Sequence, residues 1–483
     1  MASQEMLDKY EMTIGIECHV QLATTSKLFS GADNDARDKD PNTAISPIDF
    51  GLPGMLPVLN KEAIVLAARA GKALNSEIAH ISRFDRKHYF YPDLPKGYQI
   101  SQMYQPIILG GHVDAPLLDG DTVHVRIHHA HLEEDAGKLT HHGTYSLVDL
   151  NRAGTPLIEI VSEPDIHSAA GAKAYATELH RLMTYAGVTL GNLYHGNMRF
   201  DVNLSVAKKG ATELGTRAEV KNLNSFRSVE KAAEYEFERQ IELLEKGEKI
   251  VQETRGWNDA TGKTTSQRSK EDAQDYRYMP DADIPPVVLS DEDITSMQAA
   301  MPALPAVYRE SWSTLGIDRS VVESLLSTQS YAILISKIQQ NFGDDAARRV
   351  AHWFSSSVAT GEEEAIIASN FVPEGYGELA QMVEKNELSS TAAKEVFQEL
   401  LTSDKAPKEI AEAKNLLQVS DESAILAIVD EVLSDPSSVQ SVADIKAGQD
   451  KAIGFLVGQV MKKSQGKANP ALAQKLIRQQ LQG

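Results

Sequence analysis

The chain has 483 residues, 42% of them hydrophobic and 24% charged, the makeup of a soluble globular protein that folds as several domains of roughly 100–200 residues. A single cysteine, Cys18, rules out an internal disulfide and a thiolate metal cage. No apolar run approaches the ~18–20 residues that span a bilayer, and Met1–Met6 lacks the basic and apolar regions of a signal peptide, so a cytoplasmic protein with no membrane partner is expected. The net charge of −20 speaks against general nucleic-acid binding, which needs Lys and Arg for phosphates, with one local exception at the C-terminal end.

In chain order, Thr13–Leu22 alternates with period two, as a half-buried strand does. Ile14, Ile16, Cys18, Val20 and Leu22 share its apolar side, and Gly15, Glu17, His19 and Gln21 share the other. Cys18 therefore reads as a core thiol and not a nucleophile. A helix is expected from Asn60 to Leu74. Phe84–Gln99 concentrates aromatics, prolines and cations, and reads equally as an irregular packed loop or as a loop that stacks a base and contacts phosphate. Val123–His129 alternates and runs into His131-Leu132-Glu133-Glu134-Asp135. The adjacent histidines at 128 and 129 should point to opposite faces of that strand, and the histidines of this stretch read mostly as surface or core residues. Arg199–Val206 alternates Arg199, Asp201, Asn203 and Ser205 with Phe200, Val202, Leu204 and Val206, and Arg217–Asn222 alternates in the same way. Phe226, Val229, Ala233, Phe237, Ile241 and Leu244 step at helical spacing and close at Gly247.

Arg255–Thr265 resembles a phosphate-binding P-loop only loosely. Gly256 and Gly262 are separated by five residues where the motif needs four, and the segment reads as a hairpin turn. Pro280–Pro286 breaks the pattern. Beyond about residue 300 the periodicity is helical, Ser403–Lys408 reads as a linker, and the rest as a small helical domain. Lys451–Gly483 carries Lys451, Lys462, Lys463, Lys467, Lys475 and Arg478 and no acid. Such a run is either a solvated face or a phosphate-contacting tail.

Charged strand faces are ordinarily just the wet side of an antiparallel sheet. Here they are rich in Glu, Asp, His, Arg and Asn, whereas lysine dominates an ordinary wet face. Carboxylates suit a divalent cation, while Arg, Lys and Asn suit phosphate oxygens. Periodicity alone does not show whether these faces converge.

Taken together, IGIECHVQL (Ile14–Leu22), GLPGMLPVLN (Gly51–Asn60), FDRKHYFYPDLPKGYQISQ (Phe84–Gln102), HLEEDAGKLTH (His131–His141), VDLNRAGTPLIEIVSEPD (Val148–Asp165), RFDVNLSV (Arg199–Val206), EVKNLNSFRSVEKA (Glu219–Ala232), DYRYMPDADIPP (Asp275–Pro286) and GFLVGQVMKKSQGKANP (Gly454–Pro470) closely resemble the B-subunit family of the aspartyl/glutamyl-tRNA amidotransferases. The resemblance spans essentially the whole chain. It implies an α+β protein: an antiparallel-sheet catalytic cradle over residues 1–298, a helical domain over 299–407 and a small helical tRNA-binding tail over 408–483. It implies ATP-dependent activation of the side-chain carboxyl of Glu-tRNA(Gln) or Asp-tRNA(Asn). Ammonia would come from a partner amidase, the A subunit, with a small C subunit in the complex. Metal ligation and catalysis would fall on Glu17, His19, Glu133, Glu134, Asp201 and Glu219, with Mg²⁺ as the ion and Mn²⁺ as an alternative, since His19 is an unusual ligand for Mg²⁺. Nucleotide binding is expected at Lys87, His88, Tyr89, Arg152, Arg199, Asn203 and Lys221, and tRNA contact at Lys462, Lys463 and Lys467. Family members often carry a four-cysteine zinc site; Ser30, Ala32, Ser46 and Asp49 stand there, so no zinc is expected and the loop 26–50 needs other support. Phe200 is also bulkier than the family's usual residue. Two rivals are an ammonia-releasing amidase, for which no activated Ser or Cys is evident, and a non-catalytic tRNA-binding scaffold.

Overall fold

The computed structural model describes residues 4–269, 276–359, 372–418, 422–447, 449–464 and 467–482. The chain is α+β and divides into two compact units, Met1–Pro305 and Ala306–Gly483.

The first unit is built on one large sheet. Its central strands are β1 (Tyr10–Gln21), β2 (Thr122–Glu134), β3 (Pro156–Ser162), β4 (Met198–Lys208), β5 (Ala218–Leu223), β6 (Glu253–Asn258) and β7 (Lys263–Ser269). They lie in the order β7-β6-β5-β4-β1-β3-β2, with Ile108–Leu109 and Glu77–Ile78 beyond β2 and His112–Pro116 also paired to it. The sheet departs from the fully antiparallel expectation at one pair: β5 and β6 run parallel, Glu219 opposite Thr254. The reason is the helix between them, Phe226–Glu245, which carries the chain back so that the next strand starts from the same end.

The apolar sides of these strands make the core. Ile14, Ile16, Cys18, Val20, Ile158, Ile160, Val202, Leu204 and Val220 are buried in one cluster. Three amphipathic helices contribute to it: α1 (Lys61–Ala73), α2 (Ala169–Tyr185) and α3 (Phe226–Glu245). Asn60, Ser168 and Ser225 cap them by accepting a hydrogen bond from a backbone N–H of the first turn. Phe200 is buried and meets Phe226 edge-on at 6.2 Å, so α3 supplies the room that the bulky ring needs. Arg255–Thr265 forms the β6–β7 hairpin turn, with Gly262 at φ 63°.

The loop 26–50 is held by Asp49. Its Oδ2 accepts from the Ser30 hydroxyl at 3.1 Å and from the Ser46 hydroxyl and backbone N at 2.9 Å each, and Lys27 Nζ lies 3.6 Å away. Lys27 and Asp49 are both buried, and burial pulls the lysine below its usual range although Asp49 pulls the other way.

The second unit is helical. Helix Pro407–Ala413 buries Ile410 and Ala411 and packs against Ser390–Leu400, so Ser403–Lys408 is a tight turn between packed helices and not an open linker. Farther on, Glu422–Leu433, Ile453–Lys463 and Pro470–Gln482 share a separate apolar core that includes Ile425, Val429, Leu456, Val460, Leu476 and Ile477. Among the described residues no helix is long and apolar enough to cross a membrane.

Candidate functional site

Strand register does what periodicity could not show: it brings the polar faces together. Glu17 on β1 stands opposite Asp201 on β4, and Asn203 on β4 stands opposite Glu219 on β5. On the other side of β1, His19 stands opposite Glu159 on β3, which stands opposite His131 on β2. One face of five adjacent strands therefore carries two compact ligand sets, Glu17–Asp201–Glu219 and His19–Glu133–Glu159, each with ligand atoms within 4.8 Å of one another.

The second set is the deeper. Glu133 is buried, His19 Nε2 lies 3.5 Å from Glu133 Oε1 and from Glu159 Oε2, and His131 Nε2 lies 3.6 Å from Glu133 Oε2 and 3.4 Å from Glu159 Oε2. Burial works to raise the Glu133 carboxyl, but the adjacent His131 imidazole and the charges of His19 and Lys87 outweigh it and hold it well below the usual carboxylate range. Burial likewise works to lower His131, and the adjacent carboxylates of Glu133 and Glu159 raise it instead.

The first set is neutralised differently. Lys221 Nζ spans Asp201 Oδ2 at 2.8 Å and Glu219 Oε1 at 2.9 Å, and these two charges raise the lysine despite its desolvation. Asn203 Nδ2 donates to Glu17 Oε1 at 3.0 Å, and the Thr254 hydroxyl donates to Glu219 Oε2 at 2.8 Å. Burial, followed by the charges of Glu159, Glu219 and Asp201, raises Glu17.

The remaining expected residues divide. Lys87 sits 4.7 Å over the Tyr276 ring, and desolvation works to lower it while Glu133 and Glu159 raise it, which places its charge beside the deeper set. Tyr89 meets Tyr276 edge-on at 5.6 Å, and burial, Asp93 and Glu133 raise its hydroxyl. His88 turns away, its Nδ1 3.0 Å from the Arg277 carbonyl. Arg199 and Arg152 converge on Asp135 Oδ2 at 2.9 and 3.3 Å. Glu134 is not brought to either set. Being next to Glu133 in a strand it points through the sheet, where it is buried against Lys96 and accepts from Ile100 N at 2.9 Å.

Three features differ from what the sequence suggests. Glu159 joins a ligand set although its only signal is a lone carboxylate alternating within Leu157–Val161. His131 packs against the two carboxylates of that set, although the histidines of its stretch read as surface or core residues. His128 and His129 do not point to opposite faces: their Nδ1 atoms lie 2.7 Å apart. A β-bulge explains this, since Val161 pairs with His129 and Ser162 with Ile127, leaving His128 as the extra residue.

The donor chemistry fits divalent cations. Glu17, Asp201 and Glu219 offer only oxygens, as a hard ion such as Mg²⁺ demands, whereas His19–Glu133–Glu159 mixes nitrogen and oxygen and suits Mn²⁺ as well. In the second unit, Lys462 is exposed at the end of Ile453–Lys463, Lys463 Nζ reaches Glu431 Oε1 at 2.6 Å, and Lys467 is half-buried. Gln465 and Gly466, within the Gly454–Pro470 string, lie outside the described residues.

Residues 12–295 match the family model described as the GatB/GatE catalytic domain, and residues 334–481 match the GatB domain. A protein of Persephonella marina, named as the B subunit of aspartyl/glutamyl-tRNA(Asn/Gln) amidotransferase, is 46% identical over 98% of this chain and 100% of its own length. Proteins of the same name from Trichodesmium erythraeum and Geobacter sulfurreducens are 44% and 45% identical over 98% of this chain and 98% and 100% of theirs.

Proposed function

The chain belongs to the GatB/GatE family of aspartyl/glutamyl-tRNA(Asn/Gln) amidotransferase B subunits, and from that premise we propose that its sheet face uses ATP to activate the side-chain carboxyl of Glu or Asp esterified to tRNA. The enzyme is a glutamine-hydrolysing tRNA-dependent amidotransferase, a ligase of protein biosynthesis, and this chain is one subunit of a larger complex. The observation that carries the reading is the pair of adjoining ligand sets on one polar sheet face.

A carboxylate resists attack by ammonia because its leaving group would be oxide. In the proposed reaction the substrate carboxylate attacks the γ-phosphorus, the bond to the β,γ-bridging oxygen breaks, and ADP leaves with that electron pair. Ammonia then attacks the acyl carbon, phosphate leaves, and a proton is lost to give the amide. Phosphoryl transfer needs positioning and charge neutralisation more than covalent help from the protein. Glu17, Asp201 and Glu219, and His19, Glu133 and Glu159, would hold divalent cations, which would supply that neutralisation. Lys87, Lys221, Arg199 and Arg152 hold phosphate oxygens. Lys221 also acts before the nucleotide arrives. Its ammonium neutralises Asp201 and Glu219, and it would be released toward phosphate oxygens if a divalent cation occupied those carboxylates. Glu134 anchors Lys96 and the Ile100 backbone and takes no part in ligation.

Ammonia comes from a separate amidase, the A subunit, with a small C subunit in the complex, in the cytoplasm. The second unit divides further, a helical domain that keeps Pro407–Ala413 packed on Ser390–Leu400 preceding a tRNA-contacting tail built on Glu422–Leu433, Ile453–Lys463 and Pro470–Gln482. The test is ATP hydrolysis by the reconstituted enzyme with each misacylated tRNA. Hydrolysis and amidation that appear only with Glu-tRNA(Gln) or Asp-tRNA(Asn) support the reading. Hydrolysis that no misacylated tRNA stimulates would reduce the chain to a binding scaffold.

A further inference from the structure

We infer that His112, Asp114 and His124 form a surface site for a divalent transition metal of the Zn²⁺ class. The three residues lie on a β-hairpin at the far side of β2 from the polar face of the central strands. Asp114 stands directly opposite His124, and His112 lies two residues along the same strand, so all three project from one side of the ribbon. One ligand atom from each lies within 4.8 Å of the others. His124 Nδ1 is 2.6 Å from Asp114 Oδ1, His112 Nε2 is 3.6 Å from Asp114 Oδ2, and the two imidazole rings are 4.9 Å apart, tilted by 34°.

Two features make this more than a chance ion pair. The reverse side of the hairpin is locked: Val113, Ala115, Val125 and Ile127 are buried in the core, and helix α2 packs against His112–Pro116. The ligands therefore stand on rigid strands, where geometry is held more tightly than on a loop. The neighbouring cation that would compete for Asp114 is tied elsewhere. Arg126, opposite His112, gives Nε and Nη2 to Asp165 at 2.9 and 2.8 Å and its backbone N to the same carboxylate at 3.0 Å.

The donor set selects the metal. Two imidazoles and one carboxylate suit Zn²⁺, Ni²⁺ or Cu²⁺ and are a poor match for Mg²⁺, which prefers oxygen. Three protein ligands leave a position open to solvent, the arrangement of an open zinc site and not of a closed structural one. This place is separate from the thiolate-free loop 26–50, and from both ligand sets of the sheet face.

The test uses the full chain in its complex, titrated with Zn²⁺ against a chromophoric chelator, because the sheet-face sets also take up the ion. The wild type should bind one more equivalent than the His112→Gln/His124→Gln double variant. Asp114→Asn should weaken that equivalent at least ~10-fold. With Cu²⁺, the imidazole-nitrogen hyperfine pattern of this site should vanish from the spectrum of the double variant. All three side chains are exposed or half-exposed, so the variants should keep the wild-type unfolding temperature and tRNA-dependent ATPase. Equal Zn²⁺ stoichiometry and affinity in wild type and double variant would overturn the site and leave an ordinary His–Asp pair. Neither result depends on whether the sheet face phosphorylates a carboxyl.

Discussion

The sheet face and the tail carry charge in opposite ways. On the sheet, Glu133 is 3% exposed and Asp201 9%, and their partners His131, Lys221 and His19 come from the same strand, the neighbouring strand and the next strand but one. In the tail, Lys462 and Lys475 are exposed, and the ion pairs of Lys463 and Lys475 reach across to exposed acids on Glu422–Leu433. Buried charges cost several kcal/mol each to desolvate unless geometry compensates them, whereas exposed charges cost almost nothing. The first arrangement therefore demands an explanation from chemistry, and the second is compatible with any solvated helix.

The largest effect should come from the sheet. Glu133→Gln and Glu219→Gln should each lower carboxyl activation on the order of 10²–10³-fold, because on the proposed reading each removes a charge that would hold a phosphate-neutralising cation. Both variants should fold, since neither change alters side-chain volume. Full tRNA-dependent ATPase activity in either one would mean that the ligand sets are misassigned.

A buried pair in the same unit but away from that face separates burial from catalysis. Asp49→Ala removes the counter-charge of Lys27, which is fully buried and keeps its hydrogen bond to the Ala153 carbonyl, and should cost about 3 kcal/mol of stability with a loosened 26–50 loop. Denaturant unfolding of the first unit measures this. An unchanged midpoint would show that Ser30, Ser46 and Asp49 are not what supports the loop.

Lys221→Met sharpens the difference between the two ligand sets. Removing the ammonium from Asp201 and Glu219 should tighten Mn²⁺ binding at the oxygen-only set about 10-fold, a shift of ~1.4 kcal/mol, while turnover falls. Calorimetric Mn²⁺ binding without nucleotide reads the first effect on its own. Weaker Mn²⁺ binding would show that Lys221 organises the carboxylates and does not compete for them.

Much of this is legible in the chain because strand periodicity assigns sides. Glu17 with His19, Arg199 with Asp201 and Asn203, and Cys18 in the core all follow from parity alone. Parity also predicts that Glu133 and Glu134 separate, yet the family resemblance joins them. What parity cannot supply is register between strands, so Glu159 stays hidden in an apolar strand until β3 is set against His19. Nor can it see a bulge: one extra residue at His128 resets the alternation and aligns His131 with Glu133 toward the ligand set. The parallel β5–β6 pair is illegible for the same reason, since it depends on where α3 returns the chain. In the second unit, helix periodicity reveals the elements, but Ser403–Lys408 looks like a linker because a turn and a domain break share the same residues.

The smallest effect concerns the tail, and it decides whether the exposed run is more than a solvated face. Deleting residues from about 410 onward should weaken tRNA binding far more than ATP binding, since it removes the separate apolar core of the last helices together with their cations. A finer test leaves the fold intact. Removing one phosphate contact lowers the salt slope of binding by roughly 0.7–0.9. Neutralising Lys462, Lys463 and Lys467 together should flatten the slope by about two to three units if all three touch phosphate. The three are not equivalent, however. Lys463 is held by Glu431 at 2.6 Å and must exchange that carboxylate for a phosphate, so its share should be the weakest. Glu431→Gln frees it, and should strengthen tRNA binding by a few tenths of a kcal/mol, the size of an exposed ion pair. If the triple variant leaves slope and affinity unchanged, and Glu431→Gln does nothing either, the basic run is solvated surface. tRNA recognition then rests on the sheet unit.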